Sequence, residues 1–128
     1  MKQYEKEIII DLIGCDIQYM QKENLKIFFI ELAEIAKMER VQKPYFWKEN
    51  APIPHLKGMS GVQFIKTSNI LIHTLDITQT AYINFFSCKD FNVKKVVKYC
   101  KDYFKAKKMN FVVITRGNGF AVQYLKRS

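Results

Sequence analysis

Four side chains capable of nucleophilic or acid–base chemistry fall between positions 60 and 88: Ser60, Ser68, His73 and Cys88. A serine hydroxyl is a weak nucleophile, which attacks a carbonyl when the fold holds it in attack geometry. Imidazole exchanges protons near neutral pH, and a thiol has a pKa close to ambient pH. Together these groups are suited to attack on a carbonyl followed by proton transfer.

Each of these residues also has a purely structural interpretation. His73 on an apolar strand fits a half-buried, hydrogen-bonded histidine, and Cys88 fits a small core residue. Ser68 beside Asn69 fits a turn, because both side chains hydrogen-bond readily to nearby backbone. Ser68 and His73 are five positions apart, so on one regular strand they point to opposite faces. Joint action of the two therefore requires a kink or a chain break near Ser68.

The spacing of apolar residues predicts two helices and six strands. Helical spacing occurs in residues 23–38 and 93–107, and Asp90 or Asn92 can cap the second helix. Runs of β-branched and aromatic residues predict strands at 6–12, 61–66, 69–75, 80–88, 110–115 and 120–125, the last two joined by Gly117-Asn118-Gly119. Residues 42–56 hold all three prolines and several aromatic residues. They are interpreted either as a loop lining a pocket or as an edge strand pinned to the core.

This order of elements predicts an α+β fold. Neighbouring hairpin-like strands with only two helices indicate an antiparallel or mixed sheet with both helices on one face, a two-layer sandwich. A chain of 128 residues is within the usual size of one domain, here residues 1–128, and is long enough to fold without a metal or disulfide.

Composition narrows the class of protein further. The three cysteines form no paired motif, which argues against a disulfide framework or a zinc site and for a reducing, cytoplasmic compartment. No stretch approaches the roughly 20 apolar residues of a membrane span, and the first residues do not resemble a signal peptide. The net charge of +9 suggests an anionic partner. Nucleic-acid motifs are absent, however, and many lysines lie on one predicted helix, where they fit a solvated face.

The four candidate residues lie in or beside short motifs, whose spacing along the chain is informative. The motifs are Gly58-Met59-Ser60-Gly61-Val62, then Ser68, Ile72-His73-Thr74 and Phe86-Ser87-Cys88. This pattern resembles the bacterial and archaeal S-adenosylmethionine decarboxylase proenzymes, which carry Gly-Val-Ser-Gly-Val, Glu-Ser-His, Ile-His-Thr and Phe-Thr-Cys-Gly at the same intervals. The stretch from Ile10 to Cys15-Asp16 is similar to the family's opening strand. Several motifs in joint register are far more specific than any one of them.

The resemblance implies a chain that cuts itself between Thr67 and Ser68. Ser68 would attack the carbonyl of Thr67 to form an ester, whose elimination and hydrolysis leave a covalent pyruvoyl cofactor derived from Ser68. By resemblance, His73 and Ser60 assist this processing, and Cys88 returns a proton to the substrate α-carbon. The pyruvoyl group would act as an electron sink in place of pyridoxal. The implied enzyme is a metal-free homodimer that decarboxylates S-adenosylmethionine for polyamine (spermidine) synthesis.

The sequence departs from the family pattern beside the processing serine and near the substrate. Thr67 and Asn69 stand where the family has Glu and His. Asp76-Ile77 replaces a Pro-Glu pair, so the carboxylate that the family uses near the substrate is missing or displaced to Asp76. This departure bears on recognition of the ribose.

Two further departures concern the adenine and the charge of the site. Pro54 occupies the place of an adenine-stacking aromatic residue, which Phe46 or Trp47 would have to replace from the neighbouring segment. Lys89 replaces the glycine after Cys88, and its positive charge disfavours a sulfonium substrate unless the side chain points away.

Three hypotheses follow. The first is a pyruvoyl-dependent S-adenosylmethionine decarboxylase. The second retains the pyruvoyl chemistry but changes the substrate to another amino acid, such as arginine or ornithine. The third is a homologue that does not process and binds a ligand or partner without catalysis.

Overall fold

In the described residues, two α-helices pack on a seven-stranded antiparallel sheet. The computed structural model describes residues 5–117 and 120–127. Its elements are β1 (Lys6–Ile13), α1 (Lys22–Ile35), β2 (Tyr45–Glu49), β3 (Gly58–Ile65), β4 (Ser68–Leu75), β5 (Thr80–Ser87), α2 (Val93–Tyr103), β6 (Lys108–Gly117) and β7 (Phe120–Arg127). The strand order is β2-β3-β4-β5-β1-β6-β7, and every pairing is antiparallel. Of the predicted Gly117-Asn118-Gly119 turn, Asn118 and Gly119 lie outside the described residues.

Both helices begin near their predicted starts but end earlier than predicted. α1 stops at Ile35, and Lys37 then adopts a left-handed φ of 58°. α2 stops at Tyr103, followed by Lys105 at φ 51°. The predicted ends at 38 and 107 are wrong, because a residue in the left-handed region ends a right-handed helix although the apolar pattern continues beyond it. Of the two predicted caps, Asn92 caps α2, since its side chain accepts the backbone N–H of Lys95.

Both helices pack on one face of the sheet, as predicted for a two-layer α+β sandwich. Alternate strand residues point towards the helices and are fully buried, including Ile10, Ile72 and Phe85. They meet Phe28 of α1 and Cys100 of α2 in one apolar cluster. Burial of large apolar side chains between sheet and helices is the main stabilising contribution to such a fold.

The segment between α1 and β3 contains an edge strand. Of the two interpretations of residues 42–56, the structure supports the edge strand, because β2 pairs with β3 at the end of the sheet. Phe46 points to the helix face, where its ring stacks on Phe29 with centroids 5.8 Å apart. Gly61 lies beneath Phe46, and a Cβ there would come within 2.8 Å of the ring.

The opposite face of the sheet, called here the open face, carries the remaining strand residues. In the described part of the chain both helices lie on the other side. Many open-face residues are apolar, and several large ones are well exposed, including Tyr45 at 68%, Trp47 at 61%, Phe64 at 58% and Tyr82 at 41%. The others include Ile9, Val62, Leu71, Phe86, Val112 and Ile114, which are partly buried. None of the helices found in the described residues is long and apolar enough to cross a membrane.

Candidate active site

A row of side chains that can stack on a ligand or exchange protons with it crosses the open face. The strand registers place Trp47 opposite Ser60, Ser60 opposite His73, His73 opposite Tyr82, and Tyr82 opposite Asp11. Residues directly opposite each other in an antiparallel sheet point to the same face. The row therefore combines an indole, a hydroxyl, an imidazole, a phenol and a carboxylate on one surface.

Ser60 and His73 form the centre of this row. Ser60 Oγ and His73 Nδ1 share a hydrogen bond of 2.7 Å, and the imidazole is exposed. Their register is fixed nearby, because Gly58 passes so close to β4 that a Cβ would lie 1.7 Å from the carbonyl oxygen of Thr74. Only glycine permits this approach of the two backbones. We call Ser60 and His73 the imidazole half-site.

The predicted scissile bond lies in the tight turn between β3 and β4. Thr67 precedes Ser68 with a φ of 58°, a left-handed conformation that is an outlier for a β-branched residue. The carbonyl oxygen of Thr67 accepts the backbone N–H of Cys88 at 3.0 Å. This donor points at the oxygen on which negative charge develops if the carbonyl is attacked.

The side chain of Ser68 points to the helix face. Its Oγ donates to Ser87 Oγ at 2.7 Å, and Met38 Sδ lies 3.7 Å away. Ser68 is 7% exposed and Ser87 is fully buried. Thr67, Ser68, Ser87 and Cys88, of which Cys88 is exposed, are called here the scission half-site.

The two half-sites are separate in the continuous chain. β4 is regular from Ser68 to Leu75, without the kink that joint action of Ser68 and His73 would require. Ser68 and His73 therefore point to opposite faces, and five residues of strand separate them by roughly 17 Å. The structure brings Ser60 to His73 and Cys88 to Thr67, but it does not bring the imidazole to Ser68 within one chain.

The residues predicted to contact substrate do not lie together: one is on the open face, one is on the helix face and one is in a turn. Of the two aromatic candidates, only Trp47 shares a face with His73; it is 61% exposed, whereas Phe46 packs on Phe29 on the helix face. Asp76 lies in the turn after β4, where its backbone N–H donates to Lys57 O at 3.0 Å. Lys89 Nζ donates to Lys37 O at 2.9 Å, so its charge is directed to the end of α1.

The other two cysteines belong to the apolar interior. Burial raises the pKa of the Cys15 thiol to about 11, and burial also raises the pKa of Cys100. Both are therefore neutral thiols near pH 7, which is the inert form. Within residues 5–117 and 120–127, no group of three His, Cys, Asp or Glu side chains is placed to hold a metal ion.

Comparison with known proteins identifies the family of this chain. A family profile described as S-adenosylmethionine decarboxylase matches residues 6–117. The chain belongs to the S-adenosylmethionine decarboxylase family. This membership makes it a decarboxylase, that is, a carboxy-lyase, and it confirms the family predicted from the spacing of the motifs.

Individual relatives cover most of the chain. The S-adenosylmethionine decarboxylase proenzyme of Thermococcus kodakarensis is 30% identical over 111 residues, 85% of this chain and 73% of that protein. The proenzyme of Clostridium botulinum is 30% identical over 118 residues, 91% of this chain and 97% of that protein. The crystal structure of the adenosylmethionine decarboxylase from Aquifex aeolicus VF5 superimposes with a TM-score of 0.75 at 18% identity, covering 96% of this chain and all of that one. The last likeness shows the fold.

Three residues of this S-adenosylmethionine decarboxylase family member were not singled out from the sequence. Tyr82 and Asp11 join the row of His73 only through the registers of β4, β5 and β1. Ser87 meets Ser68 through the same β4–β5 pairing. Strand alternation gives the face of each residue, but the sequence contains no direct signal for the register.

Proposed function

We propose that the chain is the proenzyme of a pyruvoyl-dependent S-adenosylmethionine decarboxylase of polyamine (spermidine) synthesis. The observation that carries the proposal is the turn at Thr67 and Ser68. There the nucleophile predicted from the sequence directly follows a carbonyl whose oxygen accepts the Cys88 N–H at 3.0 Å. Residues 1–128 then form one domain of a cytoplasmic enzyme, cut between positions 67 and 68.

The cleavage requires no external reagent until water enters in its last step. Ser68 Oγ bonds to the carbonyl carbon of Thr67, the C–N bond breaks, and the hydroxyl proton moves to the nitrogen of Ser68, which leaves an ester. A base removes the α-proton of residue 68, the Cβ–Oγ bond breaks, and Thr67 departs as a carboxylate. Water then hydrolyses the resulting dehydroalanine and ammonia is released.

The residues around the turn fit the group that this sequence of steps produces. When present at position 68, the pyruvoyl group supplies an electron sink for the pair of electrons left by carbon dioxide. Cys88 borders the scissile bond and is exposed, so its thiol is placed to return a proton to the substrate α-carbon. His73, held by Ser60, is the proposed proton-exchanging group during processing and would act from the partner copy.

S-adenosylmethionine as substrate is supported by two placements. Trp47 offers an exposed ring in the row of Ser60 and His73, where a flat base can stack. Lys89 directs its ammonium to the end of α1, which removes the objection that its charge would repel a sulfonium. The name of the relatives points to the same substrate.

The position of Phe46 and the sequence Asp76-Ile77 favour a second candidate, decarboxylation of arginine or ornithine. Phe46 packs on Phe29 in the core, so its ring does not stack on an adenine. The glutamate that the family uses near the substrate is also absent. Release of carbon dioxide from carboxyl-labelled S-adenosylmethionine, arginine and ornithine distinguishes the substrates. Turnover of S-adenosylmethionine alone supports the first proposal, whereas turnover of an amino acid alone replaces it by the second.

Homodimerisation through the open face is the proposed way to complete the site. An apolar sheet face without a covering layer is typical of an interface, and one chain holds its imidazole roughly 17 Å from Ser68. In this dimer the open faces of two copies meet, and a two-fold axis passes between them over the middle of β4, near Leu71. The rotation places the Ser68 end of β4 in one copy against the His73 end of β4 in the other. The imidazole half-site of one copy then faces the scission half-site of the other.

Intragenic complementation tests this arrangement. Ser68→Ala cannot cut itself, and we expect His73→Ala to cut poorly. Co-expression of the two should restore cleavage of the His73→Ala chain only, because one site in the mixed dimer has both Ser68 and His73. If that chain remains uncut in the mixture, His73 does not act across the dimer.

The interface has its own test. Leu71→Asp places two carboxylates near the proposed axis and should give monomers in sedimentation velocity, whereas Ile77→Asp, in the exposed turn after β4, should leave the dimer intact. A Leu71→Asp protein that stays dimeric contradicts the proposed interface.

Intact mass of freshly purified protein under denaturing conditions is the primary test of the function. We expect two fragments divided between Thr67 and Ser68, the second beginning with a pyruvoyl group, and one full-length species for Ser68→Ala. Cys88→Ala should still be cut but should lose turnover. A single full-length wild-type species after prolonged incubation favours the non-processing homologue and refutes the enzyme proposed here.

A further inference from the structure

We infer that Ser87 is a positioning residue for self-cleavage, holding the hydroxyl of Ser68 ready to attack the Thr67 carbonyl. This inference rests on the proposed cleavage between Thr67 and Ser68. It assigns a role to a buried side chain that lies on the helix face, away from Ser60 and His73.

The two hydroxyls form a buried pair at the edge of the core. Ser68 and Ser87 lie opposite each other on β4 and β5, and their Oγ atoms are 2.7 Å apart. Ser87 is fully buried and Ser68 is 7% exposed. Apart from Ser87, the polar neighbour of Ser68 Oγ is Met38 Sδ at 3.7 Å, a weak acceptor. Ser87 is therefore the strong hydrogen-bond partner of the nucleophile.

The backbone of Lys89 fixes the direction of this hydrogen bond. Ser87 Oγ accepts the Lys89 N–H at 2.9 Å and donates its own proton to Lys89 O at 2.8 Å. A hydroxyl has one donor and two acceptor lone pairs. Met38 Sδ also lies 3.6 Å from Ser87 Oγ, but a thioether is a weaker acceptor than the Lys89 carbonyl. With its donor used on Lys89, Ser87 offers Ser68 only an acceptor, so Ser68 donates its proton to Ser87. The lone pairs of Ser68 Oγ remain available for the carbonyl carbon of Thr67.

Two consecutive residues then hold both reacting groups. Ser87 orients the attacking oxygen of Ser68, and the N–H of Cys88 holds the carbonyl oxygen of Thr67 at 3.0 Å. Ser87 stays neutral throughout, because the proton of Ser68 finally moves to the nitrogen released when the C–N bond breaks. Holding both groups in one arrangement lowers the entropic part of the barrier to attack.

The test compares two variants of equal shape. Ser87→Thr keeps the hydroxyl and Ser87→Val replaces it by a methyl group, and both add the same bulk to a buried position. Both are made in the full-length chain, and the rate of appearance of the two fragments is followed by intact mass. We expect Ser87→Thr to cut at nearly the wild-type rate and Ser87→Val to cut about tenfold more slowly, as loss of one neutral hydrogen bond predicts.

Hydroxylamine separates the attack from the later elimination. It cleaves an ester that accumulates, and a cavity of about 470 Å³ lined by Met38, Thr67 and Lys89 among others gives it access to the turn. If Ser87 positions the attack, Ser87→Val accumulates no ester, and hydroxylamine does not accelerate its cleavage. A general loss of structure is detected by comparing the thermal unfolding of both variants in the uncut Ser68→Ala background.

Each outcome decides the inference. Equal cleavage rates for Ser87→Thr and Ser87→Val overturn the role of Ser87 while leaving the proposed function intact. Faster cleavage of Ser87→Val in the presence of hydroxylamine has the same meaning. An uncut wild-type chain overturns the proposed function and this inference together. A Ser87→Val chain that is slow, folded like Ser87→Thr and insensitive to hydroxylamine supports the role.

Discussion

The left-handed conformation of Thr67 predicts that the uncut chain stores strain at its proposed cleavage site. Thr67 has a φ of 58° in the turn between β3 and β4. A residue with a Cβ costs roughly 1–2 kcal/mol in this region, and glycine does not. Thr67→Gly removes this cost but gives the unfolded chain more freedom, worth about 0.5–1 kcal/mol. In the uncut Ser68→Ala background we therefore expect Thr67→Gly to stabilise the fold by up to about 1.5 kcal/mol, the difference between these two contributions.

The same change should slow cleavage, because breaking the bond after Thr67 releases the strain. If all of the roughly 1–2 kcal/mol is released in the transition state, Thr67→Gly cuts about 5- to 30-fold more slowly. Urea unfolding measures the stability in the Ser68→Ala background, and intact mass against time measures the cleavage of chains that retain Ser68.

A matched control is available in this chain. Lys105 has a φ of 51° after α2, far from the scission half-site. Lys105→Gly relieves a similar conformation, so it should leave the cleavage rate unchanged. The reasoning is refuted if Thr67→Gly raises the stability but cuts as fast as the wild type, or if Lys105→Gly slows cleavage equally.

Two further predictions concern the thiols and the β3–β4 contact. Near pH 8, iodoacetamide should alkylate the exposed Cys88 first. Burial raises the pKa of Cys15 to about 11 and also raises the pKa of Cys100, so both should react only on unfolding. Peptide mass spectrometry should show no fast alkylation in the Cys88→Ala protein. Gly58→Ala should destabilise the fold by several kcal/mol, roughly the scale of severe core changes, because its Cβ would meet Thr74 O at 1.7 Å. Urea unfolding in the Ser68→Ala background measures the loss, and a native-like midpoint would contradict this close approach of the two strands.

Much of the fold was predictable because its signals are local. Helical spacing and β-branched runs located both helices and six strands, and their order predicted a two-layer α+β sandwich. The helix ends were not predictable from the apolar pattern, since left-handed Lys37 and Lys105 ended both helices within apolar stretches. The segment holding β2 remained open, because prolines and exposed aromatics are compatible with either a loop or an edge strand.

The candidate site was predictable in its residue types. The intervals between Ser60, Ser68, His73 and Cys88 predicted the family, which the profile match over residues 6–117 confirms. The roles of these residues stay predictions. Alternation also gave the correct relation between Ser68 and His73, which point to opposite faces of a regular β4.

By itself the sequence determined the approximate position of both helices and six strands, the alternation of faces along a strand, and the family to which the chain belongs. Only the tertiary structure decided that Ser60 meets His73, that Ser68 meets Ser87, and that Lys89 points to α1. The physical reason is the range of the interactions. Side-chain alternation follows from the geometry of a single strand, whereas register and side-chain direction depend on partners brought together only when distant segments pack.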